Sequence, residues 1–229
     1  MADTTSVLQQ TGYRRVGLVT ALAVVTLTTV ACTHRPYEHA AMHFGHFEVP
    51  KPNGTTVHVC HAYGCQRRTK VRFSKADMKQ ISAVMRKTRK NKSAHEERRA
   101  VAYAIGWMER TVGKRIGTSR DRPGMDFIGS GDPTQHDCVD EATNTTSYLT
   151  VLQNSGLLKH HTVSAPFAKE NYLRGVSGWT HWTAVLKEKG SGQRWAVDSW
   201  AFANGENPAV VKAEKWYIAN LEDLPKPTQ

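Results

Sequence analysis

Residues 179–200 read WTHWTAVLKEKGSGQRWAVDSW. Two runs rich in aromatic and β-branched residues, 179–187 and 194–200, flank the polar stretch EKGSGQ with its two glycines. That composition is the mark of a β-hairpin. With the loop centred between Gly190 and Ser191, Lys187 faces Arg194, Thr183 faces Asp198 and His181 faces Trp200. His181 and Asp198 then lie diagonally on one face, within side-chain reach. The opposite face carries Trp182, Ala184, Leu186, Trp195 and Val197, an apolar set suited to a core. A slip of one residue separates the imidazole from the carboxylate across the sheet.

Upstream, residues 137–156 read DCVDEATNTTSYLTVLQNSG. Asp137 is an N-cap, Asp140 stands at the third helical position, and Gly156 ends a helix that runs from Cys138 to about 154. Val139, Ala142, Leu149 and Leu152 supply its buried face. A thiol at a helix start feels the positive end of the macrodipole, which favours thiolate. An imidazole beside it shares the proton, and an acid behind the imidazole fixes its tautomer. Cys138, His181 and Asp198 are therefore candidates for nucleophile, general base and orienting acid. Each has a plainer reading: a small core residue, a structural histidine and a turn-anchoring acid. Asp140 reads most simply as a capping carboxylate. Gln135 and the Cys138 main-chain N–H are candidate oxyanion donors. His136 competes with His181 for the thiol, although its place beside the helix start aims it poorly. Trp179, Trp182, Trp195 and Trp200 read as core and cleft walls. The stretch 114–137, rich in Gly, Pro, Asp and Ser, reads as a long loop ending at the thiol.

The chain has 229 residues, enough for one domain and an N-terminal appendage. Hydrophobic residues at 39% and charged residues at 22% exclude wholesale disorder, collagen and a multi-span membrane protein. Residues 1–31 read as a signal peptide, with Arg14 and Arg15 before fifteen uncharged residues, 16–30. Cys32 follows as a candidate lipid acceptor, although Thr29 makes the lipid-attachment pattern imperfect. The expectation is an exported bacterial protein, periplasmic or envelope-anchored. The segment 32–55, with its Pro and His residues, reads as a flexible linker. Cys60 and Cys65, in VCHAYGCQ, read as a disulfide across a small loop, as free thiols, or as metal ligands with His58 and His61. Two helices follow, each opened by a capping box: Ser74 with Asp77, and Ser93 with Glu96. The first ends near Lys90 and the second at Gly113. Their outer faces carry Lys79, Arg86, Lys87, Arg89, Lys90, Lys92, Arg98 and Arg99. The net charge of +11 favours anionic partners. Without a nucleic-acid-binding motif, an anionic envelope polymer or lipid surface is expected rather than nucleic acid.

The blocks Cys138-Val-Asp-Glu-Ala, His181-Trp and Val-Asp198-Ser resemble those of the transglutaminase-like cysteine protease superfamily. Their order is especially similar to the bacterial transglutaminase-like cysteine peptidase branch, over residues 125–200. His136 and Asp137 depart from the Gly or aromatic residue often found there. The resemblance implies an α+β fold of papain/transglutaminase-like type, with an antiparallel sheet packed against a nucleophile-bearing helix. With the N-terminal helical pair, that domain would span 56–229. It further implies a thiol hydrolase that cleaves an amide or isopeptide bond in a peptide or protein substrate, without cofactor or metal. Cys138, His181 and Asp198 would form the triad, and Asp140 would match the acid two places after the nucleophile. An amine in place of water would make the same site a transamidase. The competing expectation is a non-catalytic, basic envelope-binding lipoprotein on the same fold.

Overall fold

The computed structural model describes residues 39–124, 127–169 and 180–225. The signal segment 1–31, the lipidation candidate Cys32 and Trp179 lie outside them. The described chain begins with a helix, α1 (Ala40–His46). This corrects the linker expectation for 32–55 over the described residues of that segment, 39–55. Ala40, Phe44 and Phe47 recur at helical spacing, and the interspersed His and Pro residues obscure it. Phe44 and Val49 are buried with Cys60 and Cys65. His43 is buried too, and its Nε2 meets Thr143 Oγ1 at 2.8 Å. Burial pulls its pKa down to about 3, so the ring packs as a neutral group.

Strands β1 (Thr56–His61) and β2 (Arg67–Arg72) pair antiparallel across the Cys60–Cys65 loop. In α2 (Lys75–Thr88) the Ser74 and Asp77 side chains cap reciprocally. In α3 (Ala94–Ile116) Ser93 Oγ accepts from Glu96 N, but the Glu96 carboxylate accepts from Lys90 N instead of closing a box. This helix passes through Gly113 and stops at Gly117, whose φ is 88°. Gly113 marks a close approach rather than a stop: a Cβ there would sit 2.7 Å from Asn204 Oδ1. The two helices pack through Ile81, Met85, Val101, Ile105 and Met108.

Helix α4 (Cys138–Asn154) begins and ends where its caps predict. Strands β3 (His161–Lys169), β4 (His181–Glu188), β5 (Arg194–Asp198) and β6 (Ala209–Lys212) form an antiparallel sheet in that order, followed by α5 (Ala213–Ile218). Strand β3 carries Pro166, which sits in the register shift between Ser164 and Phe167. The hairpin register is the expected one, with Ala184 opposite Val197 and Lys187 opposite Arg194. Ala184, Leu186 and Val197 join Leu149 and Leu152 of α4 in the main core. The architecture is thus α+β, an antiparallel sheet packed against α4.

More of α4 is buried than its apolar stripe implies. Thr143, Asn144, Thr145, Thr146 and Ser147 are all buried. Asn144 pairs with both main-chain groups of Cys60, and Thr145 Oγ1 meets Ser199 Oγ at 3.0 Å. These polar side chains fasten the helix between the β1–β2 hairpin and the end of β5.

Glu97 of α3 plays a similar part. Its buried carboxylate accepts from the main-chain N–H groups of Lys159, His160 and His161 and meets His161 Nδ1 at 3.0 Å. Burial opposes the charge, but these donors overcome it and hold the pKa at about 2 against an ordinary 4.5. A depressed carboxylate stabilises the fold above its unfolded pKa, and the contribution disappears as pH falls toward the folded one. Glu97→Gln is expected to lower the unfolding free energy by about 3 kcal/mol at neutral pH. The deficit should shrink through the window from 4.5 to about 2. Denaturant melts across that range check it, and a pH-independent deficit contradicts it.

Candidate active site

The start of α4 is held from two sides. Asp137 caps Asp140 N at 2.8 Å, and Asp140 returns a contact to Asp137 N. The same two carboxylates accept from the loop between β1 and β2. Tyr63 N and Cys65 N donate to Asp140 at 2.8 and 2.6 Å, and Gly64 N donates to Asp137 at 2.9 Å. Three successive N–H groups converge this way because Ala62, Tyr63, Gly64 and Cys65 are all left-handed, with φ between 57° and 70°. Three of these residues carry side chains that disfavour that conformation. A disulfide between Cys60 and Cys65 closes the loop. Asp140 is thus a capping acid that also anchors a loop. Burial and the neighbouring Asp137 push its pKa up to about 8.

His181 and Asp198 meet as the hairpin register requires: His181 Nε2 lies 2.7 Å from Asp198 Oδ2. Asp198 is 1% exposed. Burial works against its charge, yet His181 and the indole N–H of Trp216, 2.6 Å from the same oxygen, keep its pKa below the usual carboxylate value. The His181 ring lies between Trp200 and Trp216, with centroids at 4.6 and 5.1 Å. Lys169 Nζ sits over Trp216 at 4.4 Å and donates to Trp216 O and Ala219 O, which pins α5 in place. His181 Nδ1 is buried and has no hydrogen-bond partner among the described residues.

Cys138 lies beside the start of β4. His181 and Asp198 share the sheet face where α5 lies, whereas the body of α4 covers the other face. The thiol, half-buried, donates to Thr180 O at 3.6 Å and is stabilised as an anion by Trp182 N–H. The sulfur therefore lies against the main chain on both sides of His181, and its hydrogen bond goes to Thr180 rather than to the ring. The expected thiolate preference is reversed. Burial, first, and the Asp137, Asp198 and Asp140 charges push the thiol pKa up to about 12. A helix end supplies about half a positive charge, too little against burial and three nearby acids.

Other candidates have different places. Gln135 is buried, and its Nε2 donates to Arg120 O and to Thr134 while its Oε1 accepts from Arg122 N. Its amide braces the loop before α4, which removes it as an oxyanion donor. His136 does not face the thiol. Its Nδ1 meets Glu141 Oε1 at 2.8 Å and Asp121 Oδ2 at 3.6 Å, and the main-chain N–H of His136 donates to Asp121 Oδ1. Burial lowers its pKa, but Glu141 and Asp121 outweigh that and raise it well above the ordinary value. Asp121, His136 and Glu141 are close enough to ligate one metal ion, but the imidazolium occupies the place of a cation. Cys60, Cys65 and Asp140 are also grouped, with both sulfurs already in the disulfide. His61 uses Nδ1 on Pro133 O and Nε2 on Thr69 Oγ1, so it is no ligand.

No family model, curated protein or solved structure matches the chain. Among the described residues, no helix is long and apolar enough to cross a membrane. Two contributors escaped sequence reasoning: Trp216, because nothing in its neighbourhood marks it as a donor to Asp198, and Asp121, within an irregular loop.

The disulfide loop generates a prediction. Opening a ring of this size costs about 2 kcal/mol of chain-entropy stabilisation. Cys60→Ala/Cys65→Ala should lower the unfolding free energy by at least that much, since the left-handed loop would also loosen from Asp137 and Asp140. An unchanged urea midpoint contradicts this.

Proposed function

We propose that the protein is a thiol hydrolase of transglutaminase-like type, acting on an amide or isopeptide bond through Cys138, His181 and Asp198. One observation carries the reading. A buried imidazole is fixed by a buried carboxylate through Nε2, keeps Nδ1 unpartnered, and has a helix-start thiol against the main chain on either side of it.

The chemistry follows from that arrangement. With its pKa near 12 the thiol rests protonated, so attack needs a base. A change of Cys138 rotamer replaces the Thr180 contact with His181 Nδ1, the tightening that catalytic hydrogen bonds often undergo when substrate binds. Nδ1 takes the thiol proton as sulfur bonds to the acyl carbon. Asp198 and Trp216 hold the ring while it is charged. The carbonyl oxygen becomes an oxyanion, and the Cys138 N–H, at the first helical position, has no intrahelical acceptor and is free to bind it. His181 returns the proton to the departing amine, which leaves an acyl-enzyme. Water, deprotonated by His181, then attacks the thioester, and the acid and the thiol are released.

The test uses p-nitrophenyl acetate with the purified protein. The expected result is a burst of p-nitrophenol and an acetyl group on the Cys138 peptide by mass spectrometry. Cys138→Ala should abolish the burst with the fold retained by circular dichroism, and Trp216→Phe should slow it by about tenfold, the scale of one lost charge-assisted hydrogen bond. A burst of full size in Cys138→Ala overturns the reading.

A further inference from the structure

A cleft of about 520 Å³ opens at the far end of α4, between the last turn of α2, the α2–α3 turn and the turn after α4. Its size is that of a small-molecule site. It is remote from the thiol: α4 has 17 residues, and a helix rises about 1.5 Å per residue, so the two ends stand about 25 Å apart. Five cationic side chains line the cleft, Arg86, Arg89, Lys90, Lys92 and Lys159.

The charge balance decides what such a cleft accepts. Arg89 is committed to Glu97 at 3.5 Å and to Leu157 O at 3.1 Å. Arg86, Lys90, Lys92 and Lys159 are exposed and form no side-chain ion pair among the described residues. The C-terminal ends of α2 and α4 both point to this region, and each carries about half a negative charge. Together they offset one cation, not four. Glu96, the other nearby acid, is already held by Lys90 N and Arg99. Met85 and Leu157 give the cleft an apolar floor.

We propose that this cleft binds a phosphate-ester group. Arg86 offers a planar fork that matches two phosphate oxygens, and the lysines serve as movable point charges. The excess of about three positive charges suits a dianion or a pair of phosphates better than a lone carboxylate, and the apolar floor receives the carbon skeleton of the ester. The same chemistry is offered by a soluble phosphate ester and by a phospholipid headgroup. The inference does not rest on the hydrolase reading.

The experiment titrates the full chain with inorganic pyrophosphate by calorimetry, and with phosphatidylglycerol/phosphatidylcholine vesicles by sedimentation, against pure phosphatidylcholine. Two variants are compared: Arg86→Glu/Lys92→Glu/Lys159→Glu, and a control of identical charge change on β2, Arg67→Glu/Lys70→Glu/Arg72→Glu. All six residues are exposed, and thermal melts report on folding. Saturable, salt-sensitive binding in either arm is expected, weakened by about tenfold or more in the cleft variant, the loss of a single charge-assisted contact, and kept in the control. Binding of pyrophosphate assigns a soluble ester, and binding of vesicles alone assigns a headgroup. Binding in neither arm, or equal weakening in both variants, overturns the proposal.

Discussion

A carboxylate that has lost almost all contact with water must be paired, or it does not stay charged. Asp198 is in that position, and the surrounding structure answers its need. The β4–β5 register brings His181 to one of its oxygens, and α5 brings the Trp216 indole to the same oxygen. Lys169 fastens α5 by two main-chain carbonyls. The ring of His181 is held between two indoles, and its second nitrogen has no hydrogen-bond partner among the described residues. Remove the charge on Asp198 and each of these contacts loses its reason.

The thiol is positioned by an independent device. A disulfide-closed loop in a disfavoured backbone conformation directs three N–H groups onto the two acids that cap α4. This fixes where the helix begins, and so where Cys138 stands against β4. The interior around it is rich in acids, with Asp121, Glu141 and Glu109 buried beside His136. Burial and the Glu141 charge raise Glu109 well above the ordinary carboxylate value, and burial, first, with Glu109 and Glu141 nearby, raises Tyr148 as well. The basic surplus of the chain lies outside, on α2, α3 and β2. Carboxyl groups thus gather in the interior, and cationic side chains on the surface.

What was legible in the sequence was local. The Ser74 and Asp137 caps, the limits of α4 and the hairpin register each depend on residues a few places apart, and the structure has them as read. What was not legible depends on distant partners. Trp216 gains its role from a carboxylate on another strand. Helix α1 is stable because Phe44 and His43 find the Cys60–Cys65 loop and Thr143. Strand β3 tolerates Pro166 because a bulge absorbs it. Gly113 reads as a helix stop, yet it lies within α3 to admit Asn204. The thiol's protonation escapes the sequence for the same reason: the helix start and its two flanking acids are visible there, whereas burial and the approach of Asp198 from another strand are not.

The account stands on the partnership of Cys138 with His181, and the rate of Cys138 alkylation by iodoacetamide at neutral pH measures it most directly. Peptide mapping isolates this thiol from Cys32. With His181 as its base, the wild-type thiol should react about a hundredfold or more faster than in a folded His181→Ala variant. Equal, slow rates in the two proteins would make Cys138 an ordinary buried thiol and would contradict the account.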